Sequence, residues 1–263
     1  MTNPEVAYDR SVFRSIYDVP TYKTHTSIAY TMAGVFYLLG VMFFGKCTMA
    51  KRYWYLLVSL ISIIMGSAFI ARGIFAVKRK TGAPSYIASN VLIELGSHLT
   101  ILMNYILLLR LLNTIVNGPR KRVIRTFRAF AFLVAIVFGS LACAGITYVS
   151  RKNSTHVRLG ARMVRASVVA QVVSTLVLLI LASWSVHKYK EVRNRRLWFG
   201  VVVAGGILIL ARNIVRIVID FHPRITLLRR SEAAWYTLNP LFILCCVVLW
   251  TGASIPRRCH IQQ

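Results

Sequence analysis

The chain is short of acidic residues, and its apolar runs contain no lysine. Seven Asp+Glu stand against 33 Lys+Arg, which gives a formal net charge of +26. A retinal protein needs a lysine amine inside a span for its Schiff base, so the sequence excludes that class. The chain also lacks a GxxxxGK(S/T) loop. Any transport by this protein is therefore not powered by its own ATP hydrolysis at such a loop.

Groups of metal ligands and receptor motifs are missing too. A membrane metallohydrolase needs about three ligands around one zinc, but of the six histidines only His98 lies deep in an apolar run. A G-protein-coupled receptor commonly carries an Asp-Arg-Tyr-like element after its third helix, and here that run ends LLLRLLNT. Asn239-Pro240 comes early in the last run and not late in it. We therefore expect no enzymatic activity, no metal and no cofactor.

Long apolar runs dominate what is present. Hydrophobic residues make up 57% of the chain, and the mean hydropathy is +0.61. A membrane-spanning helix needs about 20 such residues. No segment between the runs is long enough for a soluble domain, so we predict an all-α polytopic membrane protein, one seven-transmembrane-helix bundle over residues 1–263. The predicted spans are 27–45, 53–77, 86–112, 128–150, 162–187, 197–221 and 233–254.

The basic residues lie mostly in the short segments between the runs. This placement favours anionic lipid headgroups, and not nucleic acid, as their partner. The segments on the side of the C-terminus hold 15 basic residues against 13 on the other side, which predicts the N-terminus outside and the C-terminus in the cytoplasm. The single Asn-x-Ser/Thr sequon, at Asn153, falls on the predicted outer side. The first 25 residues lack the basic-then-apolar order of a cleavable signal peptide.

Arg212 and Arg216 lie inside the sixth apolar run. An arginine in the hydrocarbon costs several kcal/mol, so it is usually kept where it meets a polar interior or a charged partner. The spacing of four residues places both arginines on one helix face, and Asp220 continues that face. Arg72, Arg110 and Arg165 lie closer to span ends, where extension of the side chain to the headgroups explains one or two of them.

Glu94 is the one acid well inside a run, and its estimated depth of roughly 12 Å matches that of Arg212. His98 and Tyr105 share its helix face. We expect Glu94 to pair with the arginines, the alternative being a neutral carboxyl in a polar pocket; for His98 the alternative is a core histidine bonded to a neighbour. The predicted cluster lies near the outer third of the membrane and also includes Asp220, Glu232, Tyr236 and Asn239. In it, loss of Arg212 would leave an acid unpaired.

The last two runs resemble the fungal lipid-translocating exporter family, seven-helix proteins associated with resistance to 7-aminocholesterol and with sphingoid long-chain bases. The family pattern has two arginines four residues apart, an acid, a short outer loop, and a Glu followed by Tyr and Asp. Asp220 comes one residue later than the family's acid, and Asn239 stands where the family has Asp. Residues 130–150 lack the family's Asp and Gln, so the chain resembles a divergent member. The matching residues are Arg212, Arg216, Glu232, Trp235 and Tyr236, with further similarity at Arg72, Tyr105, Arg110, Gly160 and Gln171.

The resemblance implies a membrane protein that moves or releases amphipathic lipids, such as sphingoid bases, across a fungal membrane. It also implies resistance to toxic lipids and places the protein in the plasma membrane. A seven-helix sensor or receptor for lipid stress is the alternative. The polar residues named above are the predicted ligand-binding cluster.

Overall fold

A computed structural model describes residues 25–51, 53–77, 83–115, 120–149, 154–188, 193–221 and 240–252. These ranges contain seven helices and no strand. The predicted all-α, seven-helix membrane fold is therefore confirmed. The helices are α1 Thr26–Ala50, α2 Trp54–Val77, α3 Ala83–Ile115, α4 Arg120–Val149, α5 Ser154–Lys188, α6 Arg193–Phe221 and α7 Pro240–Gly252.

The helices α1 to α6 are long and apolar enough to cross a membrane, and α7 is a shorter apolar helix. Several extend beyond the predicted spans, since α5 has 35 residues and is roughly 52 Å long. The hydrocarbon core is about 30 Å thick, so the polar ends of such helices continue through the headgroup region. The chain is an integral, multi-pass membrane protein. The predicted start of the last span, residues 233–239, lies outside the described residues.

Helix α3 lies at the centre of the bundle. Each helix packs against the next one in the chain, and α3 also packs against α5, α6 and α7. In an apolar stretch of 18 residues of α3, 67% of the residues are buried, against 22% in the corresponding stretch of α4. Polar side chains on the inner faces of α3 are therefore far from lipid and must find partners on neighbouring helices.

The outer surface of the bundle, which would contact lipid, is apolar. Large aliphatic side chains such as Leu38, Val41, Ile136 and Ile180 are exposed. Aromatic side chains of the core, among them Phe36 and Phe69, stack between α1 and α2 with ring centroids 5.7 Å apart. Because lipid is as apolar as these side chains, close packing and interhelical hydrogen bonds hold such helices together, and the hydrophobic effect does not.

Two glycines set the contact between α4 and α5. A Cβ on Gly160 would lie 2.6 Å from the carbonyl oxygen of Gly145 and 2.7 Å from the backbone nitrogen of Val149. These atoms belong to the backbone, so they have little freedom to move aside. Glycine at both positions lets the two backbones touch, as small residues commonly do between membrane helices.

Candidate functional site

The buried polar cluster is built around Glu94, whose side chain is 3% exposed. Its Oε1 lies 3.4 Å from Nη2 of Arg212 and 3.3 Å from Nη2 of Arg216. The structure thus joins α3 to α6 through one carboxylate oxygen shared by two guanidinium groups. The ion pair of Glu94 with the two arginines, which the sequence predicts, is present; binding of a ligand there stays a prediction.

Gln171 of α5 connects both members of the ion pair. Its Nε2 donates to Oε2 of Glu94 over 3.3 Å, and its Oε1 accepts from Nη1 of Arg212 over 3.4 Å. The amide nitrogen also lies 3.1 Å from each ring nitrogen of His98. One amide therefore supplies both the donor and the acceptor that a buried carboxylate–guanidinium pair needs to complete its hydrogen bonding.

His98 is a core histidine bonded to its neighbours, the alternative reading of the sequence. Its Nδ1 must carry the proton, because it lies 2.8 Å from the carbonyl oxygen of Glu94, which can only accept. Its Nε2 lies 3.1 Å from the hydroxyl of Ser167, and the carbonyl oxygen of Phe138 lies 3.0 Å from the same hydroxyl, whose single proton can be donated to only one of the two at a time. The imidazole thereby links α3 to α5 and, through Ser167, to α4.

Three polar residues that the sequence reasoning missed complete the cluster. Asn213 accepts from Arg212 over 3.1 Å, and its Nδ2 donates to the hydroxyl of Thr175 over 3.4 Å. Ser167, Gln171 and Thr175 follow one another at intervals of four residues on α5. That interval places them on one helix face, and it is the signal in the sequence that could have found Ser167 and Thr175 beside the predicted Gln171.

The structure gives the position of the cluster along its helices, and its depth near the outer third of the membrane stays a prediction. Gln171 is the central residue of α5, and Glu94 is five residues, roughly 8 Å, before the centre of α3. The distances correct the expectation for Arg212. Its removal would not leave Glu94 unpaired, because Arg216 contacts the same oxygen.

Among the other predicted site residues, the structure describes the side chains of three, Arg72 on α2 and Tyr105 and Arg110 on α3. Arg72 is fully buried, with its guanidinium 5.1 Å from the ring centroid of Tyr86, so it does not extend to the headgroups. Tyr105 donates to the carbonyl of Ser174 over 2.6 Å, and Arg110 lies further along α3, partly buried. Asp220 is in the last turn of α6, but its side chain is not described. Glu232, Tyr236 and Asn239 lie outside the described residues.

A groove of about 740 Å³ lies against the cluster, between α3, α4 and α5. His98 and Gln171 belong to both the groove and the cluster. The volume is in the range of pockets that hold small organic ligands. Most lining side chains are apolar, and two arginines lie near one end. The lining includes Leu102, Tyr105, Phe127, Phe130, Val134, Phe138, Arg162, Arg165, Val169, Val173, Ser174, Val177 and Leu181.

A second, smaller polar contact lies closer to the C-terminal end of α3 than the cluster does. Nε1 of Trp250 donates to Oδ1 of Asn104 over 3.3 Å, and both side chains are fully buried. Asn104 also packs on Gly205 of α6, where a Cβ would lie 3.0 Å from the amide. This contact fastens α7 and α6 to the central helix.

Within the described ranges, no three histidine, cysteine, aspartate or glutamate residues come together as a metal site would need. A family model described as RTA1 like protein matches residues 56–260, which is most of the chain and includes the cluster and the groove. No curated protein and no solved structure matches.

Proposed function

Because the chain belongs to the RTA1-like protein family, a family of membrane proteins, we propose that it moves amphipathic lipids across a fungal membrane without catalysing a reaction. The proposed substrates are sphingoid long-chain bases or similar amphipaths, and the proposed outcome is resistance to toxic lipids. This function agrees with the resemblance of helices α6 and α7 to lipid-translocating exporters.

The observation that carries the proposal is the course of the groove between α4 and α5. Along α5 it runs from Arg162 to Leu181, which corresponds to roughly 28 Å of helix. This length is close to the thickness of the hydrocarbon core, about 30 Å. Phe130, Val169 and Val173 line the groove and are also exposed, so the groove is open on the side where lipid would lie.

Polar groups lie at the middle of this apolar path. His98, Gln171 and Ser174 line the groove near the centres of α3 and α5. A lipid headgroup that crosses a bilayer unaided gives up its hydrogen bonds with water, and that loss opposes the crossing. Donors and acceptors halfway along the groove would replace some of those bonds and lower the barrier to movement.

The Glu94 cluster fits a supporting role in this proposal. It fastens α3, α5 and α6 together through charged hydrogen bonds, and its carboxylate is 3% exposed. Among the residues that line the groove, only His98 and Gln171 belong to the cluster. The cluster would therefore hold one wall of the groove fixed while lipid moves along the other.

Reconstitution tests the proposal. The purified protein is placed in phosphatidylcholine vesicles with a fluorescent long-chain amphipath, and movement between leaflets is followed by quenching from outside. We expect movement faster than in protein-free vesicles. Val173→Trp should slow it by filling the groove, whereas Ile180→Trp, on an exposed face of the same helix outside the groove, should not. Equal rates with and without protein would contradict translocation.

A sensor of lipid stress is the second candidate. It is favoured by the contact of the groove with His98 and Gln171, because a bound lipid would touch side chains that hold α3, α5 and α6 together. A change in protease sensitivity or in hydrogen exchange on adding the amphipath, with no movement between leaflets, would favour the sensor.

We also propose a location and an orientation. The basic-residue count favours the N-terminus outside and the C-terminus in the cytoplasm, and the family resemblance favours the plasma membrane. Basic residues near the helix ends would bind anionic headgroups.

A further inference from the structure

A hydrogen bond joins the α3 wall of the groove to its α5 wall. The phenol of Tyr105 donates to the backbone carbonyl of Ser174 over 2.6 Å, and both residues are partly buried and line the groove. Along α5 the lining begins at Arg162, roughly 18 Å of helix before Ser174, and ends at Leu181, roughly 10 Å after it. The bond therefore lies in the interior of the groove, away from both of its ends.

The side-chain hydroxyl of Ser174 is not used inside its own helix. The hydroxyls of Thr175 and Ser185, also on α5, donate to the carbonyl four residues earlier, as serine and threonine often do in helices. Within the ranges that the structure describes, the hydroxyl of Ser174 has no hydrogen-bond partner. An unbonded hydroxyl in apolar surroundings costs free energy. A polar group on a ligand in the groove would supply the missing bond.

Tyr105 and Ser174 together offer an acceptor and a donor. The phenol gives its one proton to the carbonyl of Ser174, so its oxygen is left to accept, and the hydroxyl of Ser174 can donate. The other uncharged polar residues of the lining, His98 and Gln171, bond within the Glu94 cluster. An alcohol both donates and accepts, so it matches the pair, whereas an ammonium group only donates and matches half of it.

From this pair we propose that the groove recognises a hydroxyl group on a long-chain amphipath. Ser174 donates to that hydroxyl and Tyr105 accepts from it, while the chain of the ligand lies against Leu102, Val173 and Val177, which line the groove beside them. This inference rests on the proposed function and names the group by which the substrate is recognised. In a long-chain base, that group is the hydroxyl and not the amine.

Competition among three ligands with the same tail tests the proposal. They are a long-chain base, the long-chain amine without its hydroxyls, and the long-chain alcohol without its amine. Each displaces a tail-labelled fluorescent long-chain alcohol from the protein in phosphatidylcholine nanodiscs, and each affinity is corrected for partition into nanodiscs without protein. We expect the amine to bind about tenfold more weakly than the base, since two neutral hydrogen bonds together contribute roughly that factor. The alcohol should bind about as tightly as the base.

Three results would overturn the proposal. They are equal affinity of the base and the amine, a larger loss of affinity for the alcohol than for the amine, and absence of saturable binding of the fluorescent alcohol.

Variants locate the recognised hydroxyl. Ser174→Ala removes one partner but leaves the bond of Tyr105 in place, because that bond goes to the backbone. It should reduce the preference for the base over the amine by about threefold, the contribution of one bond, and Ser174→Thr should keep the preference. Tyr105→Phe should reduce it by a similar factor. Ser185→Ala and Tyr37→Phe are the matched controls, because they remove the same groups from positions outside the groove.

The ratio of the two affinities separates recognition from a structural effect, since a distorted groove weakens both ligands alike. An unchanged ratio in Ser174→Ala, or a reduced ratio in either control, would contradict the assignment. If Tyr105→Phe does not fold, Ser174→Ala decides alone. The vesicle experiment separates this inference from the proposed function. Movement between leaflets without a hydroxyl preference refutes only the recognition of the hydroxyl, while a hydroxyl preference without movement refutes only translocation.

Discussion

Replacing Glu94 by Gln tests the shared ion pair most directly. The change keeps the size of the side chain and removes the charge that Arg212 and Arg216 share. At an effective dielectric constant of 20, a pair of charges 3.4 Å apart attracts by about 5 kcal/mol before desolvation is counted. Breaking a buried pair by removing one partner costs about 3–5 kcal/mol. We expect Glu94→Gln to fall in that range, because it leaves two buried cations without their anion.

The two arginine variants should cost less, and in a definite order. Arg212→Ala loses bonds to Glu94, Gln171 and Asn213 but leaves Glu94 paired with Arg216, so we expect about 2 kcal/mol. The side chain of Arg216 is 13% exposed, so we expect Arg216→Ala to lower the free energy of unfolding by about 1 kcal/mol. The ranking is therefore Glu94→Gln, then Arg212→Ala, then Arg216→Ala.

Unfolding in mixed micelles of mild detergent and dodecyl sulfate measures these differences in free energy. Ser97→Ala is the matched control, since Ser97 is buried on the same helix and donates to the carbonyl of Ile93 in its own helix. It should change stability by less than about 0.5 kcal/mol. A Glu94→Gln effect no larger than that of the control, or an Arg212→Ala effect larger than that of Glu94→Gln, would refute the shared ion pair.

Three further predictions concern packing, topology and lipid. Gly160→Ala should destabilise the α4–α5 contact by about 1–3 kcal/mol, because the added Cβ would press on backbone atoms. Gly34→Ala is the control and should not destabilise the protein, because a Cβ there would have nothing within 4 Å. Unfolding in micelles compares the two variants. A single cysteine at position 155 in a cysteine-free background should react with an impermeant reagent in intact cells and one at position 190 should not; the reverse pattern would invert the topology. Phosphatidylserine should raise the thermal midpoint in detergent, less so at high salt, and an equal rise with phosphatidylcholine would exclude an electrostatic role.

Much of the membrane class and of the ion pair could be predicted from the sequence. Runs of apolar residues longer than about 20 specify spanning helices, because backbone groups in lipid must bond within their own helix. Glu94, Arg212 and Arg216 could be matched because a charge at that depth needs a partner and few acids were available. The RTA1-like family match over residues 56–260 agrees with the resemblance drawn from helices α6 and α7.

The tertiary structure decided which neighbours complete the cluster and where the groove lies. In lipid the outer face of a helix is as apolar as its inner face, so the apolar pattern does not show which side of α4 or α5 points inward. The bridge through Gln171, the sharing of one oxygen of Glu94 and the burial of Arg72 all depend on how the helices lie beside one another. The sequence by itself determined which segments cross the membrane and which charges had to be paired. The side-by-side arrangement of the helices determined which residues are the partners of those charges, because that arrangement is set by contacts between residues far apart in the chain.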